Sequence, residues 1–166
     1  MSRARDPGPA VPRPLPRGER IACVTSSYHG EITGAMLEAA LEVLAQCGIE
    51  RERVQFVHAP GVYELPLLAQ ALASQVDVAA VLCFGLVLKG ETEHDRYIAE
   101  ACAQALMRVG LENATPVLFG VLTCANLEQA RRRARRESEG GLDKGREVAL
   151  ACLATLTALE QAGGPE

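Results

Sequence analysis

The sequence has no Cys-x-x-Cys pair, no apolar run approaching the roughly 18 residues a membrane span needs, and no excess of positive charge. The first absence removes the ligand spacing of a structural zinc site, so no metal is expected. The six cysteines, Cys23, Cys47, Cys83, Cys102, Cys124 and Cys152, mostly sit among Ala, Val and Leu, and read as small buried hydrophobes in a reducing compartment. The second absence argues against a membrane protein. The third, a net charge of −4, argues against a general nucleic-acid binder, which is usually basic. The N-terminal stretch carries Arg and Pro without an apolar h-region, so no secretory signal is expected and a cytoplasmic location is. The G-x-x-x-x-G-K-[ST] order of a P-loop is also missing, as is any internal repeat.

What is present is enough for one domain with a real core. The chain has 166 residues, of which 48% are apolar and 23% charged. Residues 1–18, MSRARDPGPAVPRPLPRG, read as a flexible Pro/Arg-rich arm, with 19–162 as a single domain. From Arg20 onward two patterns alternate. Ile21–Thr25, Val54–His58, Val78–Val87 and Pro116–Leu122 are short apolar runs, read as strands. Between them lie stretches with helical spacing. Thr33 is placed to cap a helix with Met36, Ala39, Ala40, Val43, Leu44 and Cys47 on one face, ended by Gly48. Pro66 falls in the first turn of a second helix. A third puts Ile98, Ala101, Cys102, Ala105 and Val109 together, and segments near 127–137 and 143–159 complete the chain. Strand–helix alternation predicts an α/β fold: a three-layer α/β/α sandwich around a four-stranded parallel sheet, flavodoxin-like in layout. Ligands of such sheets bind at the carboxyl ends of the strands.

The residues after each strand are therefore the ones to weigh. Tyr28 follows the first strand and is suited to stack on a planar ring, although an ordinary half-buried tyrosine looks the same. Gly61-Val62-Tyr63-Glu64 follows the second; Glu64 can accept from hydroxyls or amines, or simply serve the helix dipole. The third strand runs into Gly85-Leu86-Val87-Leu88-Lys89-Gly90-Glu91-Thr92-Glu93-His94. Lys89, the Thr92 hydroxyl and free backbone N–H groups before a helix make a phosphate cradle, and His94 beside it is suited to move protons near neutral pH. Phe119 lies within the fourth strand. Cys124, just after it, has no base nearby in sequence and is set aside as a nucleophile. The run Arg131 to Arg136 reads as a solvated helix face with one arginine available to a phosphate. Lys144 and Glu147 share a face of the last helix.

From about Arg20 to Leu159 these motifs together resemble the lumazine synthase family. The resemblance rests on Pro60 to Pro66 (Pro-Gly-x-aromatic-Glu-hydrophobic-Pro), on Gly85 to His94, on Phe119 to Thr123 followed by Glu128-Gln129-Ala130, and on Asp143-Lys144-Gly145. It implies an enzyme that condenses 5-amino-6-(D-ribitylamino)uracil with 3,4-dihydroxy-2-butanone 4-phosphate, releasing phosphate and water, the penultimate step of riboflavin biosynthesis. It implies that Tyr28 stacks on the pyrimidine, that Val62, Tyr63 and Glu64 bind ring and ribityl chain, and that Leu86, Val87 and Leu88 line the pocket. Glu91 and Thr92 would hold the butanone phosphate, His94 would transfer protons, Phe119 would complete the stack from a neighbouring subunit and Arg133 would pair with the phosphate. Lys89, Lys144 and Glu147 would lie nearby. No metal or organic cofactor is implied. A non-catalytic lumazine- or flavin-binding protein on the same scaffold is the alternative, and intact His94, Glu64, Thr92 and Lys89 favour the enzyme.

The chain departs from the family's pattern in places. Ser27 stands where an arginine is usual, and Asp95 replaces the aromatic after the histidine, where it could act on His94 if the two meet. The link from Ala134 to Asp143 is longer than the family's, which leaves Arg135 and Arg136 as rivals to Arg133. The resemblance implies a homo-oligomer with sites at subunit interfaces, and riboflavin synthase as a further partner. The longer link and the proline-filled arm predict a pentamer or a pair of pentamers rather than an icosahedral shell.

Overall fold

The computed structural model describes residues 15–163. Strand and helix alternate as β1 (Arg20–Ser26), α1 (Gly30–Gln46), β2 (Val54–Ala59), α2 (Leu65–Ala73), β3 (Val78–Leu88), α3 (His94–Asn113), β4 (Val117–Cys124), α4 (Leu127–Ala134) and α5 (Lys144–Gly163). Short 3-10 turns lie at Arg51–Arg53, Val62–Glu64 and Glu137–Glu139. The four strands pair in parallel in the order β2-β1-β3-β4, the flavodoxin-like α/β arrangement expected from the alternation.

Each face of the sheet has its own core. Ile21, Cys23, Leu82 and Phe84 pack under α1 and α5, while Ala22, Val24, Val81 and Cys83 pack under α2 and α3. Neighbouring strand residues point to opposite faces, so a strand covered on both sides must be apolar at every position. That is why Ile21–Val24 of β1 and the whole of β3 read as apolar runs, and both strands lie at the centre. Each fully buried large side chain stabilises the fold by roughly 1.5–3 kcal/mol.

The helix that begins α5 approaches α1 through Gly145. A Cβ there would collide with the Met36 carbonyl oxygen and stand 2.6 Å from Ala39 Cβ. Neither is a flexible side-chain tip that can swing away. Alanine in place of a helical glycine ordinarily gains about 1 kcal/mol, but here overpacking outweighs it. Gly145→Ala is expected to lose about 2 kcal/mol or more in a urea titration, with the midpoint shifted and the slope unchanged.

Several local expectations are corrected. Thr33 does not cap α1. It is buried in the first turn, and its hydroxyl donates to the Ser26 carbonyl (3.0 Å), tying the helix to the end of β1. His29 holds the cap position in a left-handed conformation (φ 57°), and its carbonyl accepts the N–H groups of Ile32 and Thr33. On α3 Cys102, Leu106 and Val109 are buried and Ile98 packs against their cluster, so the expected stripe faces the sheet except at Ala101, which is exposed. α4 stops at Ala134 rather than near 137. The following loop folds back and satisfies its last carbonyls: Leu142 N–H donates to Arg132 and Asp143 N–H to Arg135. Asp143, left-handed at φ 49° and buried, then starts α5 by accepting the N–H of Arg146 at 3.2 Å.

Residues 1–14 of the proline-rich arm lie outside the described residues. Residues 15–18 are held on the domain: Leu15 is buried, and the Arg53 guanidinium donates to the carbonyls of Leu15 (3.0 Å) and Glu19 (2.6 Å). Among the described residues no helix is long and apolar enough to cross a membrane.

Candidate active site

Because all four strands run the same way, their carboxyl ends share one edge of the sheet, and the loops leaving β1, β2 and β3 converge there. Beyond β1, Ser27 N–H bonds to the Ala59 carbonyl (2.8 Å), so the chain leaves the strand still anchored to β2. Tyr28 then projects outward, 72% exposed. Beyond β2 the 3-10 turn presses onto β3 at Gly85. A Cβ on Gly85 would lie 2.7 Å from Val62 Cγ2, so only glycine lets the turn come this close. Val62 is buried by that contact and Tyr63 is left exposed. Glu64 stands at the N-cap of α2 yet makes no capping bond, which leaves its carboxylate to the cleft rather than to the helix.

Beyond β3, Lys89 N–H bonds to the Cys124 carbonyl (2.9 Å) and carries the β3–β4 pairing into the loop. His94 is the first residue of α3, and its N–H donates to Thr92 Oγ1 at 3.4 Å. Gly90, Thr92 and His94 all line one cleft, so the end of the loop and the start of α3 border the same space.

The result is a cleft of about 500 Å³. Tyr28 and His29 form one wall, and Val62, Tyr63 and Glu64 a second. Leu86, Val87 and Leu88 form the floor, and Thr92, His94 and Asp95 the rim. Nine of the expected site residues thus meet in one place. Lys89 and Glu91 are exposed on the same loop but outside the cleft lining. Asp95 does not pair with His94: its carboxylate accepts the Gly90 N–H at 3.3 Å.

Arg133, Lys144 and Glu147 are elsewhere. They line a second cleft of about 380 Å³ beyond β4, with Thr123 and Leu142, and share no lining residue with the first. Lys144 Nζ bonds to Glu147 Oε1 at 2.6 Å, as their spacing predicts. Phe119 stands 39% exposed on β4, the edge strand on that side.

The geometry separates the rival arginines. Arg136 pairs with Glu42 of α1 (2.6 Å) and Arg131 with Glu31 (3.0 Å). Arg135 lies with Arg131 and Arg132 in a different depression on α4. Arg133 alone of the run reaches the Lys144 cleft. Burial pushes the Cys124 thiol up, with the Arg133 charge opposing, and burial pushes Cys102 up to about 11 and Cys152 up to about 12. Thiols held in that form are poor nucleophiles, in line with setting Cys124 aside.

Sequence reading missed His29 and Ile98 as cleft residues. Non-glycine left-handed positions favour Asn, Asp and His, so a histidine between Tyr28 and Gly30 was a usable signal. Ile98 lies one helical turn after His94 and follows it into the cleft.

The fold is an α/β scaffold with a cleft at the carboxyl ends of a parallel sheet and an imidazole beside a helix start. The chain belongs to the 6,7-dimethyl-8-ribityllumazine synthase family, whose sequence model matches residues 18–160. It is 45% identical over 142 residues to 6,7-dimethyl-8-ribityllumazine synthase 1 of Caulobacter vibrioides, covering 86% of this chain and 91% of that one. Identity is 42% over 158 residues to the 6,7-dimethyl-8-ribityllumazine synthase of Frankia casuarinae, with 93% and 96% covered. It is 40% over 146 residues to that of Stenotrophomonas maltophilia, with 88% and 92% covered. Membership makes the chain an enzyme of riboflavin biosynthesis, of the transferase class.

Proposed function

We propose that the two clefts are halves of one catalytic site, closed between neighbouring copies of the chain, in which a ribitylamino-pyrimidine condenses with a butanone phosphate. The observation that carries this reading is the split itself. Ring-stacking, carboxylate and imidazole groups sit in one cleft, and Arg133 and Lys144 sit in the other, beyond the sheet edge. Neither half alone both holds a planar amine and neutralises a phosphate. The outer face of α3 supports association: Tyr97, Met107 and Leu111 are each about two-thirds or more exposed, a stripe that a neighbouring copy would cover.

In the closed site Tyr28 stacks on the pyrimidine, with Phe119 of a neighbouring copy on its other face. Val62, Tyr63 and Glu64 hold ring and ribityl hydroxyls, and Leu86, Val87 and Leu88 floor the pocket. Glu91 and Thr92 present backbone N–H groups to the phosphate, Arg133 pairs with it, and Lys89, Lys144 and Glu147 stand near. The pyrimidine amine attacks the ketone and water leaves; phosphate then departs as an anion already stabilised by cations and N–H donors. The ribityl-bearing nitrogen closes the ring with loss of a second water. His94 moves the protons, and much of the remaining acceleration is positioning.

The assembly we propose is a homopentamer or a pair of pentamers, since the longer 134–143 link changes the surface next to the phosphate cleft. Sedimentation showing a sixty-subunit particle would exclude it. A cytoplasmic setting is supported by six free thiols, and riboflavin synthase, which consumes the lumazine, is a further proposed partner.

The reaction is tested by mixing the protein with both substrates and following lumazine fluorescence and released phosphate. Tight binding without turnover would favour a non-catalytic binder instead. Arg133→Ala is expected to raise the KM for the butanone phosphate about tenfold to a hundredfold, the value of a charged hydrogen bond. Arg135→Ala, which alters a different depression, is expected to leave it unchanged. The reverse pattern would reassign the phosphate arginine.

A further inference from the structure

The loop after β3 has a carboxylate folded onto it. Asp95, in the first turn of α3, has a favourable place near the positive end of the helix. Its Oδ1 instead reaches back to the Gly90 N–H at 3.3 Å. The Thr92 backbone nitrogen and Asp95 Oδ1 each lie 3.9 Å from one point, where a Cβ on Gly90 would stand. Gly90, Thr92, His94 and Asp95 all line the first cleft. A negative charge therefore borders the small space in which the loop N–H groups would meet a phosphate, and it uses one of those groups.

We propose that Asp95 is a specificity-determining residue that sets the affinity of this loop for anions. This rests on the reading of the 90–92 loop as half of a phosphate site. The carboxylate holds the Gly90 N–H and repels an incoming anion at close range. A phosphate ester tethered to a bound ketose, and reached at the same time by Arg133 from a neighbouring copy, overcomes that repulsion. Free inorganic phosphate, with no tether, does not. The loop thus accepts the phosphomonoester substrate and releases the phosphate that the reaction forms.

The test uses the full chain in its native assembly, with inorganic phosphate as the probe. Its Ki against the butanone phosphate is measured for the wild type, Asp95→Asn and Asp95→Ala. Asparagine keeps an oxygen acceptor for the Gly90 N–H and loses the charge; alanine loses both. The expected result is a Ki lowered about five- to tenfold in Asp95→Asn, the size of one charge at a few ångströms in a half-exposed site. The KM for the butanone phosphate should fall and that for the pyrimidine should stay the same. A Ki that is unchanged or raised in Asp95→Asn overturns the proposal, and a rise in both variants would mark Asp95 as a strut of the loop. Arg133→Ala separates the two levels. If it raises the KM for the butanone phosphate while Asp95→Asn moves neither constant, this inference fails alone. If neither substitution moves either constant, the phosphate reading of the cleft fails and this proposal with it.

Discussion

Replacing His94 by alanine is expected to slow turnover by roughly a hundredfold or more, within the range that a positioned general acid–base contributes, without abolishing it. The imidazole lines the cleft, is exposed, and has no hydrogen-bond or ionic partner among the described residues. It is not used to hold the fold together, so its loss should leave the thermal midpoint within about a degree or two of the wild type. What remains in the variant is the arrangement of the two reactants, and positioning alone supplies a large share of a condensation's acceleration. Single-turnover lumazine formation with both substrates saturating separates the effect from binding. A loss smaller than about threefold would remove His94 from the proton transfers and turn attention to His29 across the cleft.

The second large effect is expected from mixing two damaged proteins. His94→Ala spoils the first cleft, and Arg133→Ala spoils the second. Each variant alone should be strongly impaired. If a site takes one cleft from each of two copies, co-assembled chains contain some interfaces with both intact halves. With equal amounts and random assembly, about one interface in four joins an Arg133→Ala chain, which keeps His94, to a His94→Ala chain, which keeps Arg133. Activity should then recover to about a quarter of wild type after unfolding and refolding the mixture, far above either parent. The physical basis is that the lining residues of the two clefts do not overlap within one chain. No recovery in mixtures shown to be mixed by mass would place the complete site within a single copy.

The two experiments bear on the same division. The first examines the His94 cleft and the second whether it works with the Arg133 cleft of a neighbouring copy. Arg133→Ala and Asp95→Asn then test the proposed anion site through a cation and through a carboxylate.

Much of the fold was legible from local pattern. β1 and β3 stand out because strands covered on both faces are mostly apolar, as Ile21–Val24 and Val78–Leu88 are. α1 is legible because Met36, Ala39, Ala40, Val43 and Leu44 recur at helical spacing on its buried side. Helix ends were less so. Thr33 looks like a cap, yet the capping carbonyl comes from a left-handed His29, a backbone angle that residue type only weakly indicates. The 127–137 segment reads as one helix, but the loop from Arg135 to Asp143 returns to bond its last carbonyls and ends it early. On α3 the stripe was legible except that Leu106 is buried and Ala101 exposed, because alanine fits a core or an exposed face equally well.

The site divides in the same way. Which loops to weigh was legible from local pattern, because parallel strands deliver their carboxyl ends to one edge and the motifs at 60–66 and 85–94 follow those ends directly. The folded chain alone shows that Arg136 is held by Glu42 and Arg131 by Glu31, with Arg133 left at the Lys144 cleft. Only it turned Asp95 from His94 to the Gly90 N–H, brought His29 into the wall and parted Arg133 from His94. The reason is physical. Periodicity and turn chemistry act over a few residues, whereas an ion pair between α1 and the 134–143 link, or the gap between two clefts, depends on distances between segments the chain keeps far apart.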